Sequence, residues 1–296
     1  MHKSVICTTY YSRSIHNYIG VFMFRVALAA LLSTSLFTQF VFASEINISG
    51  STSVARIMDV FAEDYNASHP DTYIAVQGVG STAGITLLKK GVASIGMSSR
   101  YLTENEQDDA MTTLPIAYDG LAVVVNRSNS VENLSRQQLY DIYKGKITNW
   151  KQVGGNDQKI AVVTREASSG SRYSFESLLG LTKVINDRLV SDINPNNLVV
   201  NSNSMVKTLV NHNPQAIGFI STGSVDKSIK AIKFEGVEAT AKNITSHEYQ
   251  LSRPFLVLYY PQKMTEEVKA FISYLGSDKA NALIDEYGYI SLNAHK

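Results

Sequence analysis

Short runs of β-branched and apolar residues alternate with amphipathic segments, and this alternation restricts the fold more than any other feature of the sequence. A strand pattern at 46–48 precedes a helical pattern at 54–67, and one at 160–164 precedes a helical pattern at 172–179. Such alternation is typical of βα units around a mostly parallel or mixed sheet. Residues 121–125 are almost wholly apolar, which predicts a strand buried on both faces. Thr103 with Glu106 three residues later forms a capping box, which predicts a helix after Thr103.

Two segments are candidates for carrying the chain between separate halves. The chain has 296 residues with 44% apolar content, enough for two domains of ordinary size. Crossings at 118–123 and 250–256 would place residues 44–120 plus 254–296 in lobe one and residues 121–253 in lobe two. The sequence therefore predicts an α/β protein whose second lobe is inserted into the first.

The N-terminus resembles a secretory signal peptide. Arg25 precedes an apolar run at 26–42 that ends in a V-x-A pattern, which predicts cleavage after Ala43. The alternative is a membrane anchor, but the run of about 17 residues is interrupted by polar side chains and is short for a span of roughly 20. Met23 is a better candidate for the initiator than Met1, so residues 1–22 are interpreted as an over-extended gene start, with a real extension as the alternative.

Cleavage would change the charge of the protein and remove its one cysteine, Cys7. The full chain has a net charge of +1; loss of Lys3, Arg13 and Arg25 leaves 24 basic and 26 acidic residues, or −2. This balance argues against a nucleic-acid partner and a polybasic membrane patch. Without cysteine the mature protein has no disulfide, zinc–thiolate site or thiol nucleophile.

Four times, a predicted strand runs into a segment rich in Gly, Ser and Thr that then opens a predicted helix. Helix N-termini offer free backbone N–H groups and a partial positive charge, and small residues let an anion approach them closely. These side chains could also be ordinary helix caps, but four such junctions together favour an oxyanion site. The junctions are 50–53, 80–84, 96–100 and 165–171.

Arg165 strengthens this interpretation because it stands at the end of an apolar strand, directly before the S-S-G-S loop. Its guanidinium could bind two oxygens of one ligand at once, although a surface salt bridge is the alternative. Glu166 beside it is expected to orient the arginine.

No motif for catalysis accompanies these junctions. The sequence has no G-x-S-x-G elbow, no P-loop and no H-E-x-x-H metal motif. The histidines of the mature chain are scattered along it, so we expect neither an enzyme nor a metal or other cofactor. They are His69, His212, His247 and His295.

Five motifs in their order resemble the phosphate-binding proteins of bacterial phosphate ABC importers, over essentially the whole mature chain. The resemblance implies a type II periplasmic-binding-protein fold, two lobes joined by two hinge crossovers that close on inorganic phosphate. It places the anion contacts on Thr52, Ser53, Ser81, Ser99, Arg165, Ser169, Gly170 and Ser171. The motifs are G-S-T-S at 50–53, Q-G-V-G-S-T-A-G-I at 77–85, I-G-M-S-S-R at 95–100, D-I-Y-K-G-K-I-T-N-W at 141–150 and T-R-E-A-S-S-G-S-R at 164–172.

One departure from the family pattern concerns selectivity. Many relatives carry an aspartate where this chain has Ser99, and such a carboxylate accepts a proton from phosphate and repels sulfate. Asp119 is a candidate for a substitute acceptor, and a hinge aspartate is the alternative. Arg100 is a candidate additional donor, and a solvent-facing or inter-lobe salt bridge is the alternative. Ser51 and Thr82 are further possible contacts.

The resemblance also implies partners and a location. It predicts a monomer in the periplasm that delivers phosphate to ABC permease subunits in the inner membrane, with no nucleic-acid partner. Two alternatives stay open: binding of another oxyanion such as sulfate, molybdate or tungstate, and phosphate sensing without transport. Trp150, in the most family-specific motif, is expected to be a packing anchor of lobe two.

Overall fold

The computed structural model of the protein describes residues 44–186 and 188–292. The predicted signal peptide, its cleavage site after Ala43, Cys7 and His295 lie outside these residues. In the described part of the chain, no helix is long and apolar enough to cross a membrane.

The first part of the described chain alternates strands and helices, as the sequence predicts. The strand expected at 46–48 and the helix expected at 54–67 are present, with bounds that differ by one or two residues, and the expected strand 121–125 is the end of a much longer one. The elements are β1 (Ser44–Gly50), α1 (Thr52–Asn66), β2 (Thr72–Gly78), α2 (Ser81–Lys89), β3 (Ile95–Ser98) and β4 (Thr112–Val125).

The remainder of the chain continues the α/β pattern and returns to the first strands at its end. Its elements are β5 (Asn133–Leu134), α3 (Arg136–Lys144), β6 (Ala161–Arg165), α4 (Gly170–Leu179), β7 (Thr182–Ile185), β8 (Arg188–Ser191), β9 (Leu198–Val200), α5 (Asn203–His212), β10 (Ala216–Ser221), β11 (Lys230–Phe234), α6 (Ala241–Thr245), β12 (Ser252–Tyr259), α7 (Glu266–Leu275), α8 (Asp278–Glu286) and β13 (Ile290–Ser291).

The long strand β4 belongs to two groups of strands. Its first part, through Gly120, pairs with β12 in antiparallel register, and β3, β1 and β2 continue the sheet on that side. Its last part, from Leu121, pairs with β10 and β11, and β6 and β9 continue on the other side. β1 with β2 and β3, and β6 with β9 and β10, are parallel pairs, so the expected mixed sheet is confirmed.

Separate hydrophobic clusters lie on the two sides of this crossing. One cluster combines residues of β1, α1 and β3 with residues of β12, α7 and α8, including Ile48, Phe61 and Phe271. Another is built around α3, α4 and β10, with Trp150 and Phe219. The structure is two-lobed because each lobe has a hydrophobic core of its own. The division at 120 and 253–254 stays a prediction, which this distribution of buried residues supports.

The apolar end of β4 is buried on both faces, as predicted. Leu121, Val123 and Val125 face the cluster around α3 and α4, whereas Ala122 and Val124 face a third cluster against α5. Side chains alternate across a strand, so only a wholly apolar run can satisfy two cores at once.

The prediction of a helix after Thr103 is wrong. The capping box of Thr103 and Glu106 is present, but it caps a single 3₁₀ turn at Glu104–Glu106 and the chain is extended again at Gln107. Arg100 holds both oxygens of the Glu106 carboxylate, at 2.6 and 2.7 Å, and the chain then enters β4. A local cap therefore does not by itself propagate a helix.

The structure contains several short elements that the sequence did not predict. Among them are the hairpin of β7 and β8, the strand β11, and the short helix α6. The hairpin has exposed apolar side chains such as Val184 (68%) and carries no alternating pattern that would separate it from a loop.

We predict that Trp150→Ala lowers the free energy of unfolding by about 3–5 kcal/mol. The indole is 1% exposed, and its Nε1 donates to the Gln215 carbonyl oxygen at 3.0 Å. Urea denaturation followed by circular dichroism measures the change. The control Leu198→Ala alters a side chain that is 50% exposed in the same part of the fold. It should stay within about 0.5 kcal/mol of the wild type; equal effects of the two substitutions would contradict the anchoring role.

Candidate functional site

The first hydroxyl-rich junction connects β1 to α1. The Ser51 hydroxyl caps α1, where it accepts from the backbone N–H groups of Ser53 at 3.2 Å and Val54 at 3.4 Å. The same hydroxyl donates to Ser99 Oγ at 2.8 Å. Ser51 is thus an ordinary cap and, at the same time, a direct neighbour of a residue 48 positions away.

The third junction does not open a helix, which corrects the expectation for 96–100. β3 ends at Ser98, whose hydroxyl donates to the Arg100 carbonyl at 2.8 Å and accepts from the Arg100 N–H at 3.3 Å. This local turn replaces the helix start. Ser99 is therefore presented by the carboxyl end of a strand, where ligands of α/β folds bind.

Hydroxyls from all four junctions meet in one buried cluster, which we call the hydroxyl cluster. The Ser99 N–H donates to Ser81 Oγ at 3.1 Å, and the hydroxyls of Ser53 and Ser171 are 3.1 Å apart. Each member is at most 2% exposed. The structure thereby brings together side chains from distant parts of the sequence, as the junction argument predicts. The members are Ser51, Ser53, Ser81, Ser99 and Ser171.

The start of α4 approaches this cluster closely enough to require a glycine. Ser169 caps α4 by accepting from the Arg172 N–H at 3.2 Å and is itself 2% exposed. At Gly170, an added Cβ would lie 2.2 Å from Ser81 Oγ and 2.7 Å from Ser99 Oγ. No side chain fits there, so Gly170 lets the helix N-terminus face the hydroxyls directly.

Arg165, at the end of β6, reaches across to α1. It is 1% exposed, and its Nη2 donates to Thr52 Oγ1 at 3.0 Å. Its Nε and Nη2 donate to the two oxygens of Glu166, at 2.9 and 3.0 Å. Glu166 orients Arg165, as the sequence analysis predicts. The guanidinium of Arg165 lies between the β6–α4 junction and the start of α1.

Arg253 is a second buried arginine in the site, and sequence reasoning missed it. Its Nη1 donates to Ser171 Oγ at 2.7 Å and to Ser99 Oγ at 3.1 Å, and its Nη2 donates to Ser53 Oγ at 2.9 Å. Burial lowers the pKa of Arg253, and the charge of Asp119 opposes that effect. The available signal was a lone charge in the otherwise apolar strand β12.

Asp119 is the ionic partner of Arg253. Its Oδ2 accepts from Arg253 Nη2 at 2.8 Å and from Nε at 3.1 Å. Its Oδ1 accepts from the hydroxyls of Ser221 at 2.8 Å and Thr222 at 2.9 Å. Both carboxylate oxygens are therefore engaged, and the direct contact of Asp119 with a ligand stays a prediction.

Asn203 is the other residue that sequence reasoning missed. Its Oδ1 accepts from Arg165 Nη1 at 3.3 Å, and its Nδ2 donates to Ser53 Oγ at 2.9 Å. It opens α5 directly after the capping residue Ser202. A fifth strand-to-helix junction, from Val200 to Asn203, thus contributes to the site without the Gly-Ser-Thr composition of the others.

Thr82 and Arg100 lie together beside the hydroxyl cluster. Arg100 Nη2 donates to Thr82 Oγ1 at 2.8 Å, and the guanidinium stacks 4.8 Å from the ring centroid of Tyr173. Arg100 forms a salt bridge with Glu106 at 2.6 Å, but the arginine is buried and both residues belong to predicted lobe one, so this bridge is neither solvent-facing nor inter-lobe. Direct ligand contacts of Thr82 and Arg100 stay predictions.

Within the described ranges, no group of three or more His, Cys, Asp or Glu side chains could hold a metal ion.

Comparison with known proteins places this site in a family. Residues 37–279 match the PBP superfamily domain. The phosphate-binding protein PstS of Borreliella burgdorferi is 30% identical over 251 residues, which cover 83% of this chain and 90% of that protein. The phosphate-binding protein PstS of Bacillus subtilis is 31% identical over 258 residues, covering 86% of this chain and 83% of that protein.

Two solved structures are similar to the chain. An ABC-type phosphate transport receptor from Vibrio cholerae has 69% identity, covers 83% of this chain and 99% of its own, and superposes with a TM-score of 0.70. A protein from Clostridium perfringens, assigned as a phosphate ABC transporter substrate-binding protein and solved with bound phosphate, has 38% identity, coverage of 84% and 100%, and a TM-score of 0.79. The higher TM-score accompanies the lower identity.

We predict that Gly170→Ala separates the start of α4 from Ser81 and Ser99. The added methyl overpacks the contact, which should cost about 1–3 kcal/mol of unfolding free energy. It should also raise the radius of gyration measured by small-angle X-ray scattering. Gly276→Ala is the matched control, because a Cβ there would meet only the Ser273 carbonyl oxygen, at 3.6 Å. A Gly170→Ala protein as stable and compact as the control would contradict the close approach.

Proposed function

We propose that this chain, which belongs to the PBP superfamily and within it to the PstS family of phosphate-binding proteins, binds inorganic phosphate at the hydroxyl cluster and delivers it to an ABC-type importer. The family gives the chain its two-lobed type II periplasmic-binding-protein fold. Its relatives are binding proteins and receptors, so the chain is a solute-binding protein and not an enzyme.

The observation that carries the proposal is that buried hydrogen-bonding side chains from distant segments converge on one another. A tetrahedral oxyanion offers four oxygens, and charge-assisted hydrogen bonds contribute about 1.5–3 kcal/mol each. The hydroxyl cluster, the start of α4 at Gly170, and Arg165 supply such donors at positions where side chains from distant segments are within 3.1 Å of one another. Water is largely excluded, because the cluster members are buried, so each donor acts in a low dielectric.

Closure of the two lobes follows from where the donors originate. Thr52, Ser53, Ser81 and Ser99 belong to predicted lobe one, whereas Arg165, Ser169 and Ser171 belong to predicted lobe two. A ligand shifts the equilibrium toward closure only by its greater affinity for the closed state. Phosphate that accepts from both groups has that differential affinity. Contacts between the two predicted lobes, Ser53 to Ser171 at 3.1 Å and Arg165 to Thr52 at 3.0 Å, support a closed arrangement.

Delivery requires that the closed form differ from the open form on its surface. We expect permease subunits in the inner membrane to recognise the closed lobes and to release phosphate by opening them. The predicted signal peptide would place the protein in the periplasm. The name of the Vibrio cholerae relative, a transport receptor, supports transport over sensing.

Calorimetric titration of ligand-stripped protein tests the proposal. Phosphate at pH 6 and at pH 8 should bind with one site per chain, and sulfate should bind more weakly under the same conditions. Tight binding of sulfate or molybdate, with no heat from millimolar phosphate, would show that the ligand is another oxyanion.

We predict that Arg165→Ala weakens phosphate binding about a hundredfold, from the loss of two charge-assisted hydrogen bonds at about 1.5 kcal/mol each. The dissociation constant from the same titration measures the change. Arg127→Ala is the control, because Arg127 is exposed and donates only to the Lys227 carbonyl oxygen. Equal affinities of the Arg165 and Arg127 variants would remove Arg165 from the binding site.

A further inference from the structure

We propose that Arg253 is a second anion-binding arginine, supplied by the strand that crosses between the lobes, and that it makes the site prefer the doubly charged form of phosphate. This inference rests on the proposed function, because it assigns the charge of the ligand held at the hydroxyl cluster. It makes Arg253 a specificity-determining residue.

The guanidinium of Arg253 lies at the centre of the hydroxyl cluster. It donates to three hydroxyls, those of Ser53, Ser99 and Ser171, at distances from 2.7 to 3.1 Å. These serines come from the start of α1, the end of β3 and the first turn of α4. An oxyanion that accepts from any two of these hydroxyls must therefore lie beside the guanidinium.

Arg253 and its neighbours fix the Ser53 hydroxyl as a donor. Asn203 Oδ1 accepts from Arg165, which can only donate, so Asn203 Nδ2 must face Ser53. Ser53 Oγ then accepts from Asn203 and from Arg253, both at 2.9 Å. A hydroxyl has two acceptor lone pairs, so its remaining capacity is its O–H group.

The same hydrogen-bond accounting applies to Ser99. Ser99 Oγ accepts from Ser51 Oγ at 2.8 Å and from Arg253 Nη1 at 3.1 Å. Its O–H is left to donate. A donor at this position favours a ligand oxygen that carries no proton.

The carboxylates nearest the two arginines are already engaged. Both oxygens of Asp119 accept hydrogen bonds, from Arg253 on one side and from Ser221 and Thr222 on the other. Both oxygens of Glu166 accept from Arg165. The arginines therefore remain oriented. All five N–H groups of Arg253 already have protein partners, so its charge acts beside the ligand while the hydroxyls of Ser99 and Ser171 are left to donate.

Three titratable or charged groups face Arg253 from the elements packed against it. They are Asp119, in the ion pair, Arg165 and Tyr289. Arginine stays protonated in proteins, and burial raises the pKa of Tyr289 further above its alkaline usual value. Between pH 6 and pH 8, the group that changes charge is phosphate itself, from the singly to the doubly charged form.

Titration calorimetry with inorganic phosphate at pH 6 and pH 8 tests this preference. The wild type should bind at least about fivefold more tightly at pH 8, because the fraction of competent ligand scales the apparent affinity. Arg253→Gln should bind at least about thirtyfold more weakly at pH 8, and its ratio between the two pH values should fall to within about twofold. Arg127→Gln should match the wild type in both respects.

A second variant keeps the test informative if Arg253→Gln does not fold. Arg253→Lys keeps the charge next to Asp119 but loses the fork, so it should weaken binding yet retain the tighter binding at pH 8. Circular dichroism and thermal melting establish that each variant is folded. If Arg253→Gln does not fold, the wild-type pH ratio and the lysine variant decide the outcome.

Three results are decisive against the inference. It is overturned if folded Arg253→Gln binds phosphate within about threefold of the wild type at pH 8, since a lost charge-assisted bond costs more than that. It is equally overturned if the wild type binds as tightly at pH 6 as at pH 8. Absence of any phosphate binding by the wild type would instead refute the proposed function, and this inference with it.

Discussion

The buried ion pair of Arg253 and Asp119 connects β12 and β4, the two strands at the predicted crossings between the lobes. The residues face each other in the antiparallel register of β12 and β4, immediately before Leu121, where β4 enters the second group of strands. A buried charge is costly unless it is paired and fully hydrogen-bonded. Here the carboxylate also accepts from Ser221 and Thr222, and the guanidinium donates to hydroxyls from both predicted lobes. The predicted hinge and the candidate site therefore share one interaction.

A second polar network contacts the backbone of Arg165. Arg172 donates to the Arg165 carbonyl oxygen at 2.9 Å, and it also contacts Glu176 at 2.7 Å and Ser191 at 2.9 Å. Burial raises the pKa of Glu176, while the charge of Arg172 opposes this effect. The network fixes the first turns of α4 against the hairpin of β7 and β8. Donors for an anion are thus positioned by local structure in a protein whose predicted mature net charge is −2.

Some of the site followed from composition, and some of it could not. The Gly-Ser-Thr junctions at 50–53, 80–84 and 165–171 are recognisable, because small residues and caps are local properties of a helix start. Arg253 and Asn203 belong to segments without that composition, and they reach the cluster only through β12 and α5. Their roles depend on contacts that span up to 200 positions, and a lone charge in a strand does not show which distant residues it contacts.

By itself, the sequence determined the alternation of strands and helices, the apolar strand at the end of β4, and the hydroxyl-rich junctions, because each depends on neighbouring residues and their periodicity. The tertiary structure decided that β4 is one long strand shared by two cores, that the segment after Ser99 turns instead of forming a helix, and that Arg253 occupies the centre of the hydroxyl cluster. These outcomes depend on strand pairing and on the pairing of buried charges, which are interactions between residues far apart along the chain.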